Sequence, residues 1–100
     1  MPAYIPIVAL EKNKPYQITR LDEWGNNILL YLRGYEEDAQ EIMALLLPTC
    51  YHRAFKRVWQ LNQERNGETA KMKLKYYGTD FWGSRPIIRI SGRGFVKYLW

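Results

Sequence analysis

Cysteine and histidine are nearly missing from this chain: Cys50 and His52 are the only ones in 100 residues. A single thiol excludes an internal disulfide framework, and the pair is too few for a zinc site built from Cys and His alone. Long hydrophobic runs are missing too. Residues 1–10 are apolar, but Pro2 and Pro6 interrupt them, and neither a basic leader nor a small-residue cleavage site is present. That stretch reads as neither a signal peptide nor a bilayer span. Phosphate-binding glycine loops, HExxH, GxSxG and obviously spaced carboxylate pairs are all wanting, so the reading leans away from an enzyme. No metal and no organic cofactor is expected, and the expected location is the cytoplasm, or a host cytoplasm for a viral or phage protein.

Acidic residues are scarce in one half only. Residues 1–48 carry four Lys/Arg against seven Asp/Glu, a net of −3. Residues 49–100 carry eleven basic side chains against Glu64, Glu68 and Asp80, a net of +8. Such a split concerns partners rather than fold, and it points to a polyanion facing the C-terminal half. Hydrophobic residues at 47% and aromatics at 15% exclude a disordered tail and fit one small domain over residues 1–100.

Residues 4–10 read as an edge segment, since Pro6 withholds a backbone donor. Residues 16–21 and 27–33 read as a hairpin around Gly25 and Asn26, which tolerate a tight turn. Glu36, Glu37 and Asp38 stand where a helix would begin, and Ile42, Met43, Leu45, Leu46 and Leu47 would make it apolar up to Pro48. Thr49 would then cap a second helix over residues 50–65. At about 100° per residue, Tyr51, Ala54, Phe55, Val58, Trp59 and Leu61 share one arc of that helix. His52, Arg53, Lys56, Arg57, Gln60 and Gln63 lie opposite. Residues 69–77 alternate strictly, with Lys71, Lys73, Lys75 and Tyr77 on one face and Met72, Leu74 and Tyr76 on the other. Strands over 86–91 and 95–100 follow a loop and a tight turn at Gly92-Arg93-Gly94. The expected fold is α+β, a mixed or antiparallel sheet of about five strands with two helices, in the order β(β)β-α-α-β-β-β.

Two basic features compete for the polyanion. Arg53, Lys56 and Arg57 lie within two helical turns, and the bland alternative is a solvated helix face. The helix pair would also admit a helix-turn-helix, although its turn normally holds glycine where this one holds proline. Lys71, Lys73 and Lys75 form a ladder that alone would be edge protection. With Arg85, Arg89, Arg93 and Lys97 it exceeds that need. Trp82, in a loop between Phe81 and Gly83, is the preferred base-stacking residue, against a plug folded back on the core. The candidate nucleic-acid-binding set is therefore Arg53, Lys56, Arg57, Lys71, Lys73, Lys75, Trp82, Arg85 and Arg89, mostly making phosphate contacts. Partner expectations are nucleic acid, no membrane, and a homodimer paired through the C-terminal strand.

Two resemblances bear on this. Residues 91–98 resemble the RNP1 signature of the RNA-recognition motif at Gly92, Gly94, Phe95, Val96 and Tyr98. They depart at Ser91 and Arg93, and the chain after Tyr98 leaves no room for that family's next helix and strand, so no function is carried over. Two helices followed by a Lys-, Arg- and Tyr-rich antiparallel sheet is similar to the layout of RelE-type messenger-RNA-cleaving toxins. That resemblance implies a ribonuclease working through scattered basic residues. A third alternative is a protein–protein module or inhibitor acting on an acidic partner.

Overall fold

The computed structural model describes residues 4–46, 49–67, 71–83 and 85–99. Its seven strands form a single sheet: β1 (Ile5–Pro6), β2 (Pro15–Trp24), β3 (Asn27–Gly34), β4 (Glu41–Leu45), β5 (Met72–Thr79), β6 (Pro86–Gly92) and β7 (Phe95–Leu99). The strand order across the sheet is β1-β4-β3-β2-β5-β6-β7. Only β1 runs parallel to its neighbour, β4, so the sheet is mixed. One α-helix, α1 (His52–Asn66), connects β4 to β5. The class is thus α+β, with seven strands and one helix among the described residues in place of five and two.

The helix expected before Pro48 is where the sequence misled. Glu41–Leu45 is β4, seated between β3 and β1. A short apolar run has no decisive period, and the unfilled edge of β3 decides its conformation by offering backbone partners from Leu29 to Arg33. The acidic cluster Glu36–Asp38 caps no helix; it belongs to the β3–β4 connection, where Ala39 N–H donates to Glu36 O at 3.1 Å. With that helix gone, the helix-turn-helix loses its first member and the RelE-like layout loses its helix pair. Thr49 is not the cap either. It opens a 3-10 turn, Thr49–Tyr51, and α1 starts from Tyr51 without a side-chain cap bond. Leu47 and Pro48 lie outside the described residues, as do Thr69 and Trp100 at the ends of two expected strands.

The hairpin, the second helix and the later strands stand where expected with shifted ends, while the expected edge segment is strand only over Ile5–Pro6 and turns into a 3-10 helix at Ile7–Ala9. The hairpin pairs Trp24 with Asn27, and Gly25 takes the φ of 61° that its turn requires. Residues 91–98 are split by the β6–β7 turn, unlike a single RNP1 strand. One face of the sheet is buried by Phe55 and Val58 of α1 over Met72, Leu74, Ile88 and Ile90. The N-terminal segment completes that layer: Ile7 and Leu10 enter the core, and Asn13, at a φ of 63°, donates its N–H to Tyr76 O at 2.7 Å. Asn62, four residues after Val58, is the buried polar residue of this layer. Its Oδ1 accepts from Asn66 Nδ2, which also donates to Arg93 O at 3.2 Å and so fastens the end of α1 to the β6–β7 turn. Gly92 sits in that joint, where a Cβ would come within 2.9 Å of Asn62 Oδ1. The other face of the sheet is covered by no described element.

Candidate nucleic-acid interface

The uncovered face takes its character from the two-residue period of its strands. Since Met72, Leu74 and Tyr76 are buried, Lys73, Lys75 and Tyr77 must point the other way. Register then sets their neighbours. One row across the sheet reads Val96, Ser91, Lys73, Gln17, Arg33 and Glu41. The next reads Tyr98, Arg89, Lys75 and Pro15. Lys75 and Arg89 are therefore directly opposed cations on neighbouring strands. Such like-charge pairs are destabilising in isolation.

Aromatic rings lie between these cations. Lys75 Nζ is 5.6 Å and the Arg89 guanidinium 5.8 Å from the centroid of the same Tyr77 ring. Lys73 Nζ stands 5.6 Å from the Tyr35 ring, itself half exposed. Arg20 lies 4.8 Å over Tyr31. Beyond Lys73, a depression of about 280 Å³ is lined by Lys71, Lys73, Ser91, Gly92 and Arg93. Among the described residues, none of Lys71, Lys73, Lys75, Arg89 or Arg93 forms an ion pair.

Carboxylates occupy the opposite flank of the same face. The Thr19 hydroxyl lies 2.9 Å from Glu41 Oε2 and 3.1 Å from Tyr31 O. Arg20 is held by Asp22 through two bonds, of 3.2 and 2.6 Å, and the guanidinium pulls the Asp22 carboxyl below its ordinary pKa. The charge split along the chain thus becomes a split across the sheet, because β2–β4 and β5–β7 are each contiguous. Burial pushes the Tyr31 and Tyr35 phenols up, so both stay neutral donors at physiological pH.

At the end of the hairpin, Phe81 and Trp82 stand 93% and 82% exposed, their rings edge-to-face at 5.3 Å. They do not plug the core. Asp80 folds the loop under them: its N–H donates to Arg85 O at 2.8 Å and its Oδ1 accepts from Arg85 N. Trp82 and exposed Arg85 thus share one loop at the Tyr77 end of the lysine face.

The other sequence-named cations are elsewhere. Arg53 and Arg57 are on α1, which packs on the buried face, and they line a groove with Lys97 on the far side of the sheet. Lys56, also on α1, pairs with Glu23. Of the nine candidates, Arg53, Lys56 and Arg57 therefore lie on the helix side and Lys71, Lys73, Lys75 and Arg89 on the opposite face, while Trp82 and Arg85 belong to the loop at the end of the sheet. Sequence reasoning missed Tyr31, Tyr35 and Arg33. Tyr31 and Arg33 could have been found, since they alternate with buried Leu30 and Leu32 along β3. Tyr35 follows the strand and carries no periodic signal. His52 serves the backbone, its Nε2 lying 2.8 Å from Leu46 O, and Cys50 is exposed. Among the described residues no group of His, Cys, Asp and Glu could hold a metal, and no helix is long and apolar enough to cross a membrane.

Lys14 tethers the β3–β4 connection through Glu36 at 2.7 Å, and this bond lowers the Glu36 pKa. A depressed carboxyl stabilises the fold above its unfolded pKa, and the contribution is lost as pH falls through the folded one. Lys14→Met should move the Glu36 titration, followed by carboxyl-carbon NMR, upward toward its ordinary range, with the backbone hydrogen bond to the carboxylate still in place. The melting difference from the wild type, present at pH 7, should close on acidification; an unmoved Glu36 titration would dismiss the tether.

No known protein family, curated protein or solved structure matches this chain.

Proposed function

We propose that the protein binds nucleic acid, single strands in particular, across the uncovered face of β5 and β6. The observation that carries this is the opposed pair Lys75 and Arg89 sharing the Tyr77 ring, continued by Lys73 and Lys71. A face that sets cations directly opposite one another, with no described acid to relieve them, is stabilised by an arriving polyanion. Successive same-face lysines stand about 6.6–6.8 Å apart on an extended strand, a spacing comparable to that of phosphates along an extended single strand. Tyr77, Tyr35 and Trp82 offer rings to unstacked bases, the combination by which single strands are held without strict sequence preference. Paired bases in a duplex keep their faces stacked and out of reach of these rings, which favours single strands over duplex.

Lys71, Lys73, Lys75 and Arg89 make the phosphate contacts in this reading, and Trp82 with Arg85 contributes base contacts at the loop. Arg53, Lys56 and Arg57 are left out of the surface because α1 lies behind the sheet. The test is fluorescence anisotropy against short single- and double-stranded DNA and RNA at several salt concentrations. Single strands should bind most tightly, with a log–log salt slope of about −0.7 per phosphate neutralised. No binding to any of the four at low salt would end the proposal.

Trp82→Ala separates stacking from charge. At 82% exposure the ring contributes little to folding, so stability should change by no more than about 0.5 kcal/mol. Affinity for single strands should fall by about 1–3 kcal/mol with the salt slope unaltered. Unchanged affinity would remove Trp82 from the interface.

A further inference from the structure

β7 ends the sheet, and what lies beside it differs from the lysine face. Its partner β6 sets Ile90 opposite Lys97, so Lys97 points to the helix side while Val96 and Tyr98 point to the uncovered side. On the helix side Lys97 joins Cys50, Arg53, Ala54, Arg57, Val58 and Leu61 around a groove of about 590 Å³ running between α1 and the strand. The floor of this groove is apolar and its rim carries three cations. Among the described residues none of the three forms an ion pair. On the other side Val96 is 59% and Tyr98 44% exposed.

We infer that β7 receives an acidic, extended segment of a partner protein as an eighth strand of the sheet. An added strand alternates its side chains between the two faces. Acidic residues at every second position would lay their methylenes on Ala54, Val58 and Leu61 and their carboxylates against Arg53, Arg57 and Lys97. The intervening apolar residues would cover Val96 and Tyr98. A lysine aimed inward at an edge is a device against indiscriminate strand pairing. Here it also selects: a neutral or basic strand leaves Lys97 facing other cations, whereas an acidic one neutralises it. The same charge disfavours a second copy of this chain. Antiparallel pairing of two β7 strands about a two-fold axis would bring Lys97 toward its own equivalent, with Arg53 and Arg57 of both copies nearby. Nucleic acid fits this groove poorly, since its floor offers no ring to a base and the strand offers backbone groups that a peptide matches.

The test uses a fluorescein-labelled nine-residue peptide alternating glutamate and valine. Two controls accompany it: the glutamine–valine counterpart, and an N-methylated version that keeps the charge but cannot pair as a strand. Anisotropy should show the glutamate peptide binding, and amide exchange of residues 95–99 should slow on its addition. Both control peptides should bind at least about tenfold more weakly. Arg57→Glu combined with Lys97→Glu should cost about tenfold for the peptide and leave oligonucleotide affinity nearly unchanged. Alanine at Lys71, Lys73 and Lys75 should do the reverse, so this inference and the nucleic-acid reading fail separately. Three results would overturn it: no binding of the glutamate peptide, equal binding of the N-methylated one, or protection of the same amides by self-association without peptide.

Discussion

Alanine at Lys71, Lys73 and Lys75 together is expected to weaken single-strand binding on the order of a hundredfold at low salt. Each lysine that no longer reaches a phosphate should cost about 1 kcal/mol, and each tenfold in affinity is worth about 1.4 kcal/mol. The salt dependence gives the sharper reading. With three fewer phosphates neutralised, and their counterions no longer released, the log–log slope should flatten by about 2 for single strands. Stability should not suffer, because the three side chains project away from the core and take part in no described ion pair. Removing Lys75 should even relieve its opposition to Arg89. A variant of equal affinity and slope would place the polyanion elsewhere, and Arg53→Ala with Arg57→Ala would then be the comparison to make. A variant of lower affinity but unchanged slope would mean that the lysines act through the fold rather than on phosphates.

Phe55→Ala should have the largest effect on stability, about 3–5 kcal/mol. The ring is fully buried and is the largest such side chain in the core. It holds the only described α-helix against the sheet. A domain of this length has about 5–15 kcal/mol in total, so the substitution removes a large share. At about 4–8 °C per kcal/mol, the midpoint should drop by more than about 12 °C in a thermal melt. Lys56→Ala is the contrast. Its partner Glu23 is half exposed, and surface pairs of this kind are worth about 0–1 kcal/mol. A loss below about 1 kcal/mol for Phe55→Ala would mean that the sheet stands without α1, and that the helix-side groove is not a fixed surface.

The parts of the fold that were legible had a period or a punctuation to carry them. The strict alternation of residues 71–77 separates lysines from core residues whatever the neighbours, because a strand turns successive side chains to opposite faces. The apolar stripe of α1 and the Gly25-Asn26 turn are equally local. Glu41–Leu45 was not legible, since five residues of mixed apolar character satisfy a helix turn or a strand, and its two neighbours in the sheet made the choice. Asn62 was a near miss: its spacing from Phe55 and Val58 puts it on the core face, but its polarity concealed it. The exposure of Phe81 and Trp82 carried no sequence signal at all, because large aromatics in a loop serve a core or a ligand equally well.

By itself, the sequence determined that the C-terminal half carries a net positive charge, that a lysine face exists on β5, and that a basic face exists on α1. Those are consequences of charge count and backbone period, which need no tertiary contact. Only the tertiary structure decided that the two basic faces are separate. Packing Phe55 and Val58 onto Met72, Leu74, Ile88 and Ile90 commits α1 to one side of the sheet, and the same alternation that buries Leu74 turns Lys73 and Lys75 to the other. A helix and a strand each show an inner and an outer surface, and which outer surfaces coincide depends on how they are stacked. Here they are stacked back to back.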